Sequence, residues 1–127
     1  MKKTSIALFA LLLVGACSSG GDKKEAAPAP ASAGSSLSSN PDYQKGLELI
    51  GKSDCLTCHK VSDKNIGPAY KDVAAKYENT EENVKMLAGK IIKGGQGVWG
   101  AIPMTPHSSL SEADAEQMVK YILLLKK

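Results

Sequence analysis

The sharpest chemistry in this sequence lies in Cys55-Leu56-Thr57-Cys58-His59. Two thiols three positions apart, with a histidine directly after them, form the pattern C-x-x-C-H, which reads as a covalent haem attachment site. Each sulfur can form a thioether with one vinyl group of the macrocycle. The adjacent histidine is near enough to ligate the iron from one face. The spacing must be short, because all three groups have to reach one edge and the centre of a single flat cofactor. Three other chemistries use parts of the same pattern. A thioredoxin-like redox pair expects a βαβ context, and the sequence has no convincing run of alternating strand residues. A structural zinc site needs four ligands, which Cys55, Cys58, His59 and His107 would supply. A Cys55–Cys58 disulfide suits an oxidising compartment but gives His59 no role.

A second ligand has to come from elsewhere, and the connection from Gly94 to Leu110 is the place to look. It is 17 residues long and rich in Gly and Pro. A loop of that length inside a compact domain usually binds something or moves. It holds Trp99-Gly100-Ala101-Ile102-Pro103-Met104-Thr105-Pro106-His107. Pro103 and Pro106 stiffen the chain around Met104, which lacks the helical neighbours of a core methionine. Met86 and Met118 have such neighbours and read as core. Met104 is therefore the candidate sixth ligand; a packing role for it, or displacement by His107, stays open. A thioether favours ferrous iron, so a His–Met haem has a higher potential than a bis-histidine one.

Four short helices are predicted to position these groups. Asn40-Pro41 reads as a cap with proline at the first helical position, followed by Tyr43, Leu47 and Ile50 at helical spacing. Gly46 lies near that face, where a missing side chain lets another helix approach, and Tyr121 is its expected aromatic neighbour. A second helix covers Tyr70 to Tyr77. Thr80 caps a third, with Glu81 and Glu82 at its start, Lys90 and Lys93 at its end, and an apolar face of Val84, Leu87 and Ile91. Ser111 with Asp114 resembles a capping box for the last helix, whose face is Ala115, Met118, Ile122 and Leu125.

The front of the chain has a different character. Met1-Lys2-Lys3, an apolar run from Ile6 to Val14 and the small residues before Cys17 mark an export signal. The run is too short to span a bilayer. Val14-Gly15-Ala16-Cys17 resembles a bacterial lipobox, which makes Cys17 the expected lipid-bearing N-terminus. Seventeen of the 23 residues from Ser18 to Asn40 are Gly, Ser, Ala or Pro. Such a stretch cannot repay its ordering entropy, and as a coil it spans roughly 25 Å. The predicted organisation is a lipoprotein signal peptide (1–16), a lipidated cysteine with a flexible tether (17–40) and a folded domain (41–127). That domain carries 12 Lys against 11 acidic groups, and the chain has no Arg. Nucleic acid is excluded as a partner, because it needs a concentrated basic surface.

The folded part resembles the monohaem class I cytochromes c, above all the small bacterial carriers of the cytochrome c-551/c-552 type. The resemblance rests on C-L-T-C-H at 55–59, I-G-P-A-Y-K-D-V-A-A-K-Y at 66–77 and G-Q-G-V-W-G-A-I-P-M-T-P at 95–106. It implies an all-α class I cytochrome c fold, with four short helices around one covalently bound haem c. It implies thioethers at Cys55 and Cys58 and axial ligands at His59 and Met104. It gives Pro68 the carbonyl that accepts the Nδ1 proton of His59. It gives Trp99 a hydrogen bond from its ring nitrogen to a haem propionate, with Lys90 near the propionates. His107 departs from the family pattern, standing where relatives have an asparagine that hydrogen-bonds the methionine sulfur. Its imidazole either donates to that sulfur or points to solvent, and it offers a route to a pH-dependent potential.

The function so implied is a membrane-tethered single-electron carrier on the periplasmic side of a bacterial membrane. It is not an enzyme. Leu47, Ile66, Val73, Leu87, Ile91, Val98 and Ile122 are the candidates for packing that keeps water from the iron. The resemblance implies a quinol–cytochrome c oxidoreductase as donor and a terminal oxidase or other periplasmic reductase as acceptor. Two alternatives are a gas sensor or peroxidase-like protein with a labile Met104, and a non-haem lipoprotein stapled by zinc or a disulfide.

Overall fold

The computed structural model describes residues 37–127. The export signal, Cys17 and most of the predicted tether lie outside the described residues. Among the described residues five helices are delimited in order: α1 (Pro41–Gly51), α2 (Cys55–Cys58), α3 (Tyr70–Lys76), α4 (Glu81–Lys93) and α5 (Glu112–Leu124). Four correspond to the predicted helices. The fifth, α2, is a single turn formed by the attachment motif itself.

The helix starts follow from side-chain chemistry. Asn40 accepts hydrogen bonds from the amides of Asp42 (2.8 Å) and Tyr43 (3.2 Å), with Pro41 at the first helical position. Thr80 accepts from the amide of Asn83 at 3.3 Å to open α4. Ser111 caps α5 by accepting from the Asp114 amide at 3.1 Å. Only half of the expected capping box forms there. The short Asp114 side chain accepts from the Ser111 hydroxyl at 2.7 Å instead of reaching back to the cap amide. Helix α4 ends at Gly94, whose φ of 78° suits a residue without a Cβ.

Helix α5 is the hub, packing on α1, α3 and α4. It crosses α1 at Gly46, where a Cβ would stand 2.4 Å from Tyr121 Cβ and 2.5 Å from the Gln117 carbonyl oxygen. Gln117 Nε2 fastens the crossing by donating to Asp42 Oδ1 at 2.9 Å. Two apolar clusters meet on α5. One joins Ile50, Tyr70, Ala74, Met118, Tyr121 and Leu125; the other joins Val84, Ala88, Ala115, Val119 and Leu123. Truncating a fully buried member such as Met118 to alanine should cost about 2–5 kcal/mol.

Two expectations about packing fail. Leu47 is exposed, because Gly46 and Ile50 form the buried edge of α1 and Leu47 lies about 100° round the helix from Gly46. Met86 is not packed between helices either, since α4 turns Val84 and Ala88 toward α5 while Met86 lines the large cavity described below. Among the described residues no helix is long and apolar enough to cross a membrane. There is likewise no strand among them, only one isolated antiparallel bridge between Gly95 and Met104.

Candidate haem site

The site begins with the turn α2. One helical turn puts Cys55 and Cys58 three residues apart, on the same side of the chain. Both are half-buried free thiols. Burial pushes the Cys55 thiol above its ordinary value, and the neighbouring Asp54 carboxylate adds to the shift. The helix stops at His59, which is extended at φ −112° and ψ 151°, while its amide still donates to the Cys55 carbonyl at 3.0 Å.

The imidazole of His59 is held on several sides. Its Nδ1 lies 2.8 Å from the Pro68 carbonyl oxygen. A carbonyl can only accept, so Nδ1 carries the proton and Nε2 keeps a lone pair for a metal. Tyr70 stacks on the ring, with centroids 5.5 Å apart and planes 20° from parallel. Gly67 lies against the ring so closely that a Cβ would stand 2.4 Å from Cε1 and 2.8 Å from Nδ1. The Gly67 amide donates to the Cys58 carbonyl at 2.9 Å, and the Tyr70 amide to the Lys60 carbonyl at 2.9 Å. The segment after His59 thus folds back along the motif. Tyr70 in turn meets Tyr121 edge-on at 6.4 Å, which links the imidazole to the α1–α5 crossing.

The Met104 side is built from the long loop. The Met104 amide donates to the Gly95 carbonyl at 2.8 Å and closes the base of the loop. Gly94 is pressed against this strand-like pair, since a Cβ would meet the Met104 carbonyl oxygen at 2.6 Å. The tip bonds within itself. The Gly97 amide donates to the Gly100 carbonyl at 3.0 Å, and Gln96 Nε2 to the Ala101 carbonyl at 2.7 Å. Trp99, on this tip, has the Lys76 ammonium 5.8 Å from its ring centroid.

Cys55, Cys58, His59, Pro68, Trp99 and Met104, far apart in sequence, all line one cavity of about 500 Å³. That volume lies within the usual range for a small-molecule or cofactor site, roughly 300–1,000 Å³. Val73, Leu87, Ile91 and Ile122 supply apolar wall, and Ile66 and Val98 line the cavity while more than half exposed. Two thiols, one imidazole with a free Nε2, a thioether and apolar walls fit a flat, apolar, iron-bearing macrocycle. Leu47, also predicted to line this space, is not part of it. Lys90 and His107 are.

The rival metal reading finds no support in this geometry. No group of three or more His, Cys, Asp or Glu able to hold a metal ion occurs among the described residues. The Nε2 of His107 is turned to the Asp54 carboxylate at 3.0 Å, so the ring does not simply point to solvent.

A chain with this fold and this cavity belongs to the cytochrome c family, whose family description, "Cytochrome c", matches residues 43–126. Within the family it is a class I monohaem member of the c-551/c-552-like subgroup. It is 47% identical to cytochrome c-552 of Nitrosomonas europaea over 83 residues, which cover 65% of this chain and 81% of the relative. It is 42% identical to cytochrome c-551 of Allochromatium vinosum over 83 residues, 65% of this chain and 88% of that one. The crystal structure of wild-type Nitrosomonas europaea cytochrome c552 superposes with a TM-score of 0.59 at 48% identity, covering 63% of this chain and 99% of that chain. The fold is the all-α class I cytochrome c fold, the cofactor is a single covalently bound c-type haem, and the protein is an electron carrier and not an enzyme.

Sequence reasoning missed three residues of the site. Gly67 and Tyr70 lay inside a quoted motif, but their contact with His59 depends on how the chain folds back. Asp54, one position before the motif, gave no sign in the sequence of its contact with His107.

Proposed function

We propose that His59 and Met104 are the axial ligands of the haem, that Cys55 and Cys58 carry its thioethers, and that an acylated Cys17 holds the carrier at a membrane. The axial reading rests chiefly on one observation: His59 and Met104 line the same cavity, with Nδ1 of His59 already bound to the Pro68 carbonyl at 2.8 Å. When bound, the haem supplies one-electron exchange between ferrous and ferric iron. The residues of the chain keep that exchange easy. Pro68 fixes the tautomer of His59 and strengthens it as a donor. Gly67 and Tyr70 hold the plane of the ring. Met104 supplies a soft thioether that favours the ferrous state. Val73, Leu87, Ile91 and Ile122 exclude water, so little solvent has to reorient. Trp99 and Lys90, at the cavity wall, are assigned to the propionates.

The organisation proposed is a signal peptide over 1–16, a lipidated tether over 17–40 and the cytochrome domain over 41–127, on the periplasmic face of a bacterial membrane. A tether suits a carrier that must meet several membrane-bound partners in turn. The donor proposed is a quinol–cytochrome c oxidoreductase or its equivalent, and the acceptor a terminal oxidase or other periplasmic reductase. Such encounters are brief and bury small areas, below about 1,200 Å².

The test is an absorption spectrum of the mature holoprotein, oxidised and reduced, with and without carbon monoxide. The expected result is a reduced low-spin c-type spectrum, a far-red methionine–iron band when oxidised, and no shift with carbon monoxide. A high-spin spectrum or a ready shift would overturn Met104 as a firm ligand and favour a gas sensor. Membrane anchoring is checked with Cys17→Ser, which should move the cytochrome from the membrane fraction to the soluble one.

A further inference from the structure

Asp54 stands at the N-cap of α2, and aspartate at that position normally accepts a hydrogen bond from the helix amides. Here its side chain makes no cap bond. Its carboxylate instead lies 3.0 Å from Nε2 of His107, 53 positions away. This contact joins the turn that carries Cys55, Cys58 and His59 to the segment that carries Met104. We propose that Asp54 is a positioning residue for Met104: through His107 it latches the methionine loop to the attachment turn and so slows the loss of the thioether from the iron. The proposal rests on the reading of Met104 as an axial ligand.

The other bonds around His107 show why this one matters. The His107 amide donates to the Ile91 carbonyl at 3.0 Å, and the Leu110 amide to the His107 carbonyl at 3.0 Å. Met104 is tied to Gly95. Those bonds fasten the segment to the end of α4 and to its own loop. The Asp54 bond instead crosses to the element on the His59 side. Without it the loop can hinge on α4 and open the gap between the two axial positions.

The bond also fixes the chemistry of the ring. A carboxylate can only accept, so in the neutral imidazole Nε2 carries the proton and Nδ1 has none. Nδ1 is buried without a hydrogen-bond partner, on a ring that lines the cavity. The neutral ring thus has no proton on Nδ1 to donate to the methionine sulfur. In its neutral form His107 acts through the latch and not as a donor to the ligand.

The test follows Met104 replacement by added imidazole in the ferric holoprotein, read from the decay of the far-red methionine–iron band. Asp54→Ala should speed replacement about fivefold, the scale of losing one solvent-exposed hydrogen bond or ion pair. Asp54→Ser offers α2 a capping hydroxyl, which Asp54 itself does not use, but is too short to reach His107, so it should behave like Asp54→Ala without loosening the turn. Asp54→Asn retains an amide oxygen that can accept from Nε2, and it should restore the slow rate. His107→Ala should match Asp54→Ala, and the double variant should be no faster than either. Nitrogen NMR should show Nε2 protonated in neutral His107. Exchange at the parent rate in both Asp54→Ala and Asp54→Ser, or an Nδ1–H tautomer, would overturn the latch. A parent with no methionine–iron band before any substitution would overturn the axial assignment itself, and the latch with it.

Discussion

The two sides of the cavity are built in opposite ways. His59 is held within a short stretch of chain: Cys58, Gly67, Pro68 and Tyr70 all lie within eleven residues of it and close on it by backbone bonds and ring contact. Met104 hangs from a loop with positive φ at Gly94, Gly97 and Gly100, tied to the rest of the fold by its bridge to Gly95, the His107 amide on the Ile91 carbonyl and one distant carboxylate–imidazole contact. The first side resists movement because several restraints must fail together. The second rests on single bonds to separate parts of the fold. On the axial ligation proposed above, a ligand exchange, a redox-linked shift or a partner-induced movement is therefore expected at Met104 and not at His59.

The largest effect that would test this contrast is at Gly67. A methyl there would overlap the His59 ring at 2.4 Å, on a ring that the Pro68 carbonyl and Tyr70 already hold. Gly67→Ala should cost about 3 kcal/mol in denaturant unfolding and should disturb the low-spin spectrum. An undisturbed spectrum would show that the His59 side yields more easily than its contacts suggest. Gly46→Ala is the graded comparison, with an overlap of 2.4 Å on Tyr121 Cβ, which reaches the His59 ring only through Tyr70. It should cost about 2 kcal/mol and disturb the low-spin spectrum less than Gly67→Ala does.

On the other side, Gly100→Ala introduces no clash, since nothing lies within 4 Å, but it strains a backbone at φ 133°. A penalty of about 1 kcal/mol is expected, seen as faster loss of the methionine–iron band with the His59 side unaffected. The smallest effect should come from the Glu81–Lys85 pair on α4 (2.6 Å), which touches neither side. Lys85 holds the Glu81 carboxyl below its ordinary value. Its contribution is present above the ordinary carboxylate range and fades as pH falls through the lowered value. Both groups are exposed, so Lys85→Ala should barely move the thermal midpoint at neutral pH, and not at all in high salt.

What the sequence revealed divides along the same line. The helix starts were legible because Asn40, Thr80 and Ser111 cap within three residues of themselves. The attachment turn was legible because its chemistry is contiguous. The approach of Tyr121 to Gly46 was legible because a glycine on the apolar face of a helix marks where a neighbouring helix comes close. Leu47 misled because an apolar residue one step off the buried edge of α1 has the same spacing as one on it. The Asp54–His107 contact could not be read at all. Its two residues are 53 positions apart, and each has an ordinary local role that hides the distant one.

The bridge between Gly95 and Met104 has a consequence for how such a protein can change over generations. Its two ends are already joined, so residues 96–103 form an excursion that leaves and returns at one fixed point. Because loop closure grows only slowly more costly with length, insertions or replacements in that excursion leave the register of Met104 alone. Residues 96–103, Val98, Trp99 and Ile102 among them, also line the cavity. Lineages can therefore redraw the wall around the haem while the point at which the chain returns to Met104 stays where it is.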